Sequence, residues 1–124
     1  MRRSLAILAG LLALVGSVHV LREATQNRPD PVIEGSVTTV DFSVATHRYP
    51  RGEGAAATTL WAVCSSTVGG EVSPSPEATG ADRWRVTIRP AVGDHGEQRL
   101  VGCLEDVTID RVVGHVVALR HDVP

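Results

Sequence analysis

At 124 residues, 43% of them apolar and only four aromatic (Phe42, Tyr49, Trp61 and Trp84), the chain has room for one domain whose core must rely on Val, Leu, Ile and Ala. All 12 basic residues are arginine, against 14 acidic residues, and setting aside Arg2 and Arg3 leaves a net charge of −4. A domain of that sign has no overall attraction for nucleic acid or for an anionic membrane surface, which argues against a nucleic-acid-binding role.

Met1-Arg2-Arg3-Ser4 is a short positive head. The 17 residues from Leu5 to Leu21 carry no Asp, Glu, Lys or Arg. As a helix at about 1.5 Å per residue the run spans about 25 Å, a little short of a hydrocarbon core of about 30 Å. Residues 1–21 therefore read as a transmembrane anchor or a signal segment. Val15-Gly16-Ser17 offers small residues at a cleavage edge, but the apolar run continues through Val18, Val20 and Leu21, which favours an uncleaved transmembrane helix. A cleaved signal and a helix buried in a soluble domain are the alternatives. With the positive head inside, everything that follows lies outside the cytoplasm. His19 reads as an interfacial residue. Residues 22–35, with Pro29 and Pro31, read as a solvated, semi-extended linker, and 36–124 as the extracytoplasmic domain.

Ser36 to His47 predicts a strand, because Val40, Phe42 and Val44 alternate with Thr39, Asp41, Ser43 and Ala45. Gly54 to Val68 predicts a helix: Ala57, Leu60, Trp61, Cys64 and Val68 fall on one stripe of a 3.6-residue period, and Gly69-Gly70 stops it. Pro74, Pro76 and Gly80 leave at most a short edge strand before a loop that spans 70–82. Arg83 to Arg89 predicts a second strand, with Trp84, Val86 and Ile88 on one face and Arg83, Arg85, Thr87 and Arg89 on the other. In the next helix, near 95–107, Leu100, Cys103, Leu104 and Val107 share a stripe, and Asp94 with Glu97 has capping-box spacing. Arg111 to Arg120 is a Val-rich final strand whose inward face is ambiguous.

Strand, helix, weak strand, strand, helix, strand is the order of an α+β fold, a ferredoxin-like β-α-β-β-α-β sandwich preceded by the N-terminal transmembrane helix. That arrangement makes the helices neighbours, as a Cys64–Cys103 bridge requires. A small β-sandwich with both cysteines in strands is the competitor, and the helical stripes argue against it. In the ferredoxin-like reading the Arg83–Arg89 strand is central and runs parallel to Ser36–His47.

Two cysteines in a small extracytoplasmic domain are most simply a structural disulfide. There is no Cys-x-x-Cys, and no metal site is expected: the five histidines form no ligand pattern, and His115 and His121 share strand parity at about 20 Å separation. No nucleophile, phosphate-loop or dinucleotide motif occurs, so no cofactor and no catalytic residue is expected. The candidate binding residues are Arg83, Arg85 and Arg89, a basic stripe, with Asp41 on the neighbouring strand. The same pattern is also that of a solvated face with cross-strand ion pairs.

Leu60-Trp61-x-x-Cys64 and Arg99-Leu100-x-Gly102-Cys103-Leu104-Glu105-Asp106-x-Thr108 resemble a pattern in small actinobacterial envelope proteins of uncharacterised function, over roughly residues 55–117. The resemblance implies a single-pass extracytoplasmic domain and brings no activity, cofactor or catalytic residue; in it, Gly102 beside Cys103 fits close helix–helix approach. The expectation is a non-enzymatic, membrane-anchored domain that meets an envelope protein partner through Asp41, Arg83, Arg85 and Arg89. A secreted inhibitor or regulator of an extracellular enzyme, presenting the 70–82 loop, is the alternative, and a small hydrolase a third reading.

Overall fold

Val40, Phe42 and Val44 point to one side of the first strand and are buried, and the remaining elements assemble around them. The computed structural model describes residues 2–24, 30–46 and 52–124. Its elements are α1 (Arg2–Ala24), β1 (Val37–Thr46), α2 (Gly52–Cys64), β2 (Glu71–Val72), β3 (Glu77–Ala78), β4 (Arg83–Arg89), α3 (Asp94–Asp106) and β5 (Val112–Asp122). The fold is α+β. One five-stranded antiparallel sheet has the order β2-β4-β1-β5, with β3 also paired to β4. His47 and Tyr49 lie outside the described residues.

The helical stripes bury as their periodicity requires. Ala56, Ala57, Leu60, Trp61 and Cys64 of α2 and Leu100 and Leu104 of α3 meet Val40, Phe42, Val86, Ile88 and Val112 of the sheet in one core. Burying an aliphatic or aromatic side chain of this size contributes about 1.5–3 kcal/mol. Trp61 also needs an acceptor for its indole N–H, and the carbonyl of Ser73 supplies it at 2.7 Å. Cys64 and Cys103 form a disulfide with their Cα atoms 5.6 Å apart, tying α2 to α3. Gly102 is not at that contact, since a Cβ there would meet only Asp106 Oδ2 at 3.9 Å. The close approach is at Gly114 on β5, where a Cβ would lie 2.4 Å from the Leu104 carbonyl oxygen and 2.6 Å from Leu60.

Several expectations are corrected. β4 runs antiparallel to β1, with Asp41 opposite Arg85 and Ser43 opposite Arg83. In a split arrangement a hairpin between β2 and β4 reverses the chain, so the central pair must be antiparallel. α2 ends at Cys64 and finishes in a 3₁₀ turn, Ser65–Thr67, where three successive hydroxyls bond the carbonyls of Ala62, Val63 and Cys64. The ambiguous face of β5 follows from a bulge: Phe42 pairs with Val116 but Asp41 with Ala118, so the parity changes at Val117. His115 and His121 therefore lie on opposite faces of the sheet, opposite Ser43 and Thr38 respectively. The tight turn before β5 places both Asp110 (φ 49) and Arg111 (φ 67) in the left-handed region, between the bridged residues Ile109 and Val112.

The N-terminal run does form a helix, α1, and its apolar residues Leu8, Leu12 and Val20 are exposed. Among the described residues, however, no helix is long and apolar enough to cross a membrane, which corrects the expected transmembrane helix. The uncharged run itself is 17 residues, at the lower end of the length that crosses a hydrocarbon core. The segment read as a solvated linker is also tied down where it is described. Asp30 accepts the backbone N–H groups of His95 (3.3 Å) and Gly96 (2.7 Å). It thus caps α3 in place of the Asp94–Glu97 capping box; Gly93 is the N-cap and contributes no side-chain bond.

Candidate functional site: the open face of the sheet

Both core helices pack on the side of the sheet that carries Val40, Phe42, Val86 and Ile88, and alternation sends every second residue the other way. On that other face β4 presents Arg83, Arg85, Thr87 and Arg89, with Glu71 and Glu77 across from Arg89 and Arg85; β1 presents Thr39, Asp41 and Ser43; β5 adds Ala118 and Arg120, and His115, whose Nδ1 lies 3.1 Å from Glu105 of α3. Among the described residues no aromatic side chain lies on this face, because Phe42 and Trp84 have core parity. It therefore lacks the stacking platform that an exposed sheet needs to bind single-stranded nucleic acid.

Asp41 is the centre of the face. Arg85 donates to it in the bidentate manner, Nε to Oδ1 at 2.6 Å and Nη2 to Oδ2 at 3.0 Å. Arg120 donates from β5 to Oδ2 at 3.1 Å. Sequence spacing pointed to Arg85 and Asp41 but missed Arg120, because the bulge at Val117 decides which β5 side chains reach this face. The Arg85 hydrogen bond is the main cause that holds the Asp41 carboxyl below its ordinary range; burial opposes it, and the charges of Arg85 and Arg120 add to it. The same hydrogen bond holds Arg85 in its charged form. Glu77 on β3 pairs in register with Arg85 and adds its charge to that of Asp41, so two guanidinium groups face two carboxylates at the middle of the face.

Arg83 and Arg89 are exposed at the two ends of β4 and make no ion pair among the described residues. Thus the structure brings Asp41 and Arg85 together, and leaves Arg83 and Arg89 at the flanks, Arg89 with Glu71 of β2 across from it in register. Thr87 is fixed to Ser73 through its amide and its hydroxyl, each at 2.9 Å, which anchors the start of the 73–82 loop.

A second polar cluster lies at the end of the sheet where β1 begins. Glu97 of α3 bonds Nε2 of His121 at 2.9 Å, Nδ1 of His121 bonds Thr38 Oγ1 at 2.9 Å, and that oxygen accepts the Val92 N–H at 3.0 Å. Carboxylate, imidazole and hydroxyl in sequence have the form of a nucleophile relay. Thr38 is fully buried, though, and its oxygen is enclosed by the imidazole and the Val92 amide, so no substrate carbonyl can approach it. The chain of bonds ties α3, β5 and β1 together. Among the described residues no group of three or more His, Cys, Asp or Glu is placed to hold a metal ion. Neither a known protein family, nor a curated protein, nor a solved structure matches the chain.

Proposed function

We propose that this chain is a non-enzymatic extracytoplasmic interaction domain that engages an envelope protein through the open face of its sheet. The observation that carries the reading is that one whole face, centred on Asp41, Arg85 and Arg120, has neither core helix on it, while both helices share the other. A fixed arginine–carboxylate–arginine array flanked by Arg83 and Arg89 presents preorganised donors at little entropic cost, which suits recognition of a partner's carboxylates or carbonyls. The strand order, with helices on the two crossovers, supports a ferredoxin-like β-α-β-β-α-β arrangement of 36–124. The disulfide supports an oxidising, extracytoplasmic compartment. Association with the cell membrane rests on the positive head and on the leucines and valines exposed all round α1.

The test is paired. Native protein from membrane and medium fractions is weighed intact, and full-length mass in the membrane fraction supports the tether. A photo-crosslinking group at Ser43 is then compared in wild type and in the Arg83→Glu/Arg89→Glu variant. The reading requires one adduct in the envelope that charge reversal removes, and it is abandoned if the adduct pattern does not change.

A second reading, a secreted regulator of an extracellular enzyme, is favoured by the anchoring of the exposed 73–82 loop. Ser73 is held by Thr87 and Trp61 at its start, and the Thr79 N–H bonds the Arg83 carbonyl at 2.9 Å. A shortened mass found only in the medium is the outcome that selects it.

A further inference from the structure

The two edges of the sheet end differently. On one, β4 is met by β2 and β3 and by the Ser73 hydroxyl, which accepts the Thr87 N–H, so no long run of its backbone is open. On the other, β5 is the outermost strand and is 11 residues long. Its first half is covered. Ile109 exchanges two backbone bonds with Val112, at 2.8 and 3.4 Å, and the Val116 N–H donates to Glu105 Oε1 at 3.1 Å. The same bonds show that Val112 and Val116 turn their N–H groups away from β1. Carried through the bulge, where Asp41 pairs with Ala118, the alternation turns Leu119, His121 and Val123 outward in the same way. Among the described residues nothing bonds the outward backbone groups of these three. An edge left open in this way is a template for another strand.

The open stretch, Leu119-Arg120-His121-Asp122-Val123, is complementary to its own reverse. Laid antiparallel about a two-fold axis through His121, it sets Leu119 opposite Val123 of a second copy and Arg120 opposite that copy's Asp122. The faces agree. Leu119 and His121 lie on the core side with Val40 and Thr38, and Arg120 and Asp122 on the open side with Thr39 and Val37. An apolar pair forms on one side and an ion pair on the other, each twice by symmetry. Outward residues also meet outward residues, so each such pair exchanges two backbone hydrogen bonds. The side chains are available: Val123 is 61% exposed, Asp122 makes no ion pair among the described residues, and Arg120 spends only Nη2 on Asp41. His121 is bonded at both ring nitrogens within its own chain and needs nothing from its copy. Other axes lose the match. An axis through Arg120 sets two arginines face to face, one through Leu119 leaves Arg120 opposite Ala118, and one between residues sets opposite faces against each other.

We propose that two copies of this chain associate through the free end of β5, antiparallel about His121, and so join their sheets into one with the helices of both copies on the same side. Charge selects the occupant: Arg120 and Asp122 are each other's partners at this spacing, and a second copy supplies both. Glu105 and Ile109 stop the pairing from running further along the edge. The contact is short beside the roughly 800 Å² per partner of a stable complex, so the association is reversible and grows with concentration. It sets two open faces side by side and does not depend on what those faces bind.

The experiment follows the full chain in nonionic micelles by NMR over a dilution series. The readout is the shift and the hydrogen exchange of the Leu119, His121 and Val123 amides, which association through α1 alone leaves unchanged. In the wild type these amides should shift and become protected as concentration rises. Asp122→Arg sets arginine against arginine on both sides of the axis and should weaken the association about tenfold or more. Arg120→Asp should do the same with carboxylates, while Asp82→Arg, an exposed carboxylate before β4, should not. Mixing labelled Arg120→Asp with unlabelled Asp122→Arg should restore the shifts and the protection, because every Asp then faces an Arg. Asp122 is exposed, so Asp122→Arg keeps the fold and tests the proposal against the wild type even if Arg120→Asp, which loses its bond to Asp41, does not fold. Amides that ignore concentration, wild-type association in Asp122→Arg, or no recovery on mixing two folded variants would each overturn it.

Discussion

The disulfide makes a large contribution that one chemical perturbation, reduction, can remove. Cys64 is fully buried on α2 and its partner on α3 is 39 residues away. Opening a loop of that size returns about 13 cal/mol/K of chain entropy to the unfolded state, or about 4 kcal/mol at 25 °C. Domains of this class have total stabilities of only about 5–15 kcal/mol, so the bridge separates a stable domain from a marginal one. Trp61 provides the assay: it is 1% exposed, lies one helical turn before Cys64 and holds the Ser73 carbonyl, so its fluorescence reports the α2–sheet contact. Urea unfolding of the full chain in mild detergent, oxidised and reduced, should show the midpoint falling by roughly 3 M, taking a slope of about 1.3 kcal/mol per M for a domain of this size. The Cys64→Ala/Cys103→Ala variant should match the reduced protein, apart from the small cost of the lost sulfur atoms. A fall of less than about 1 M would refute the reasoning. It would mean that the reduced, unfolded chain is already restricted, so that the bridge closes a loop that costs little.

Asp30 and Gly93 form one device. A Cβ at Gly93 would lie 2.4 Å from Asp30 Cβ, so Gly93→Ala must expel the side chain that caps α3. Asp30→Ala and Gly93→Ala should each cost about 1 kcal/mol in urea unfolding, and the double variant should cost well below the sum. Asp41 predicts an acid dependence: because its folded pKa is lowered from the ordinary 3.8, its contribution is complete above that range and is lost as the pH falls through and below it. The stability gap between wild type and Asp41→Asn should therefore be open at pH 7 and close towards pH 2, and a gap that is constant with pH would contradict the ion-pair geometry. Arg111, at φ 67 in the turn before β5, stores backbone strain. Arg111→Gly should raise stability by about 1 kcal/mol, as read by thermal unfolding.

Local pattern was sufficient for the elements themselves. The alternation of Val40, Phe42 and Val44, the even alternation of Arg83 to Arg89, and the helical stripes through Cys64 and Cys103 each encode one buried face, because a periodicity of 2 or 3.6 residues leaves few other ways to bury those side chains. The α2–α3 disulfide follows from the same stripes. Of the site, Asp41 and Arg85 were legible, since exposed-face residues on neighbouring strands must meet somewhere along the register.

What remained was set by contacts between distant segments. The bulge opposite Asp41 and Phe42 brings Arg120 onto Asp41, and it parts His115 from His121, a change of parity that a run of valines cannot announce. The antiparallel sense of β4 against β1 follows from the route of the chain, not from either strand alone. Asp30 reaches α3 across 65 residues of sequence, so the nearer candidates Asp94 and Glu97 are left out of the cap, and Glu97 bonds His121 instead. Spacing along a chain determines which faces are apolar; which polar groups meet across those faces is decided only when register, bulges and strapped segments fix their distances.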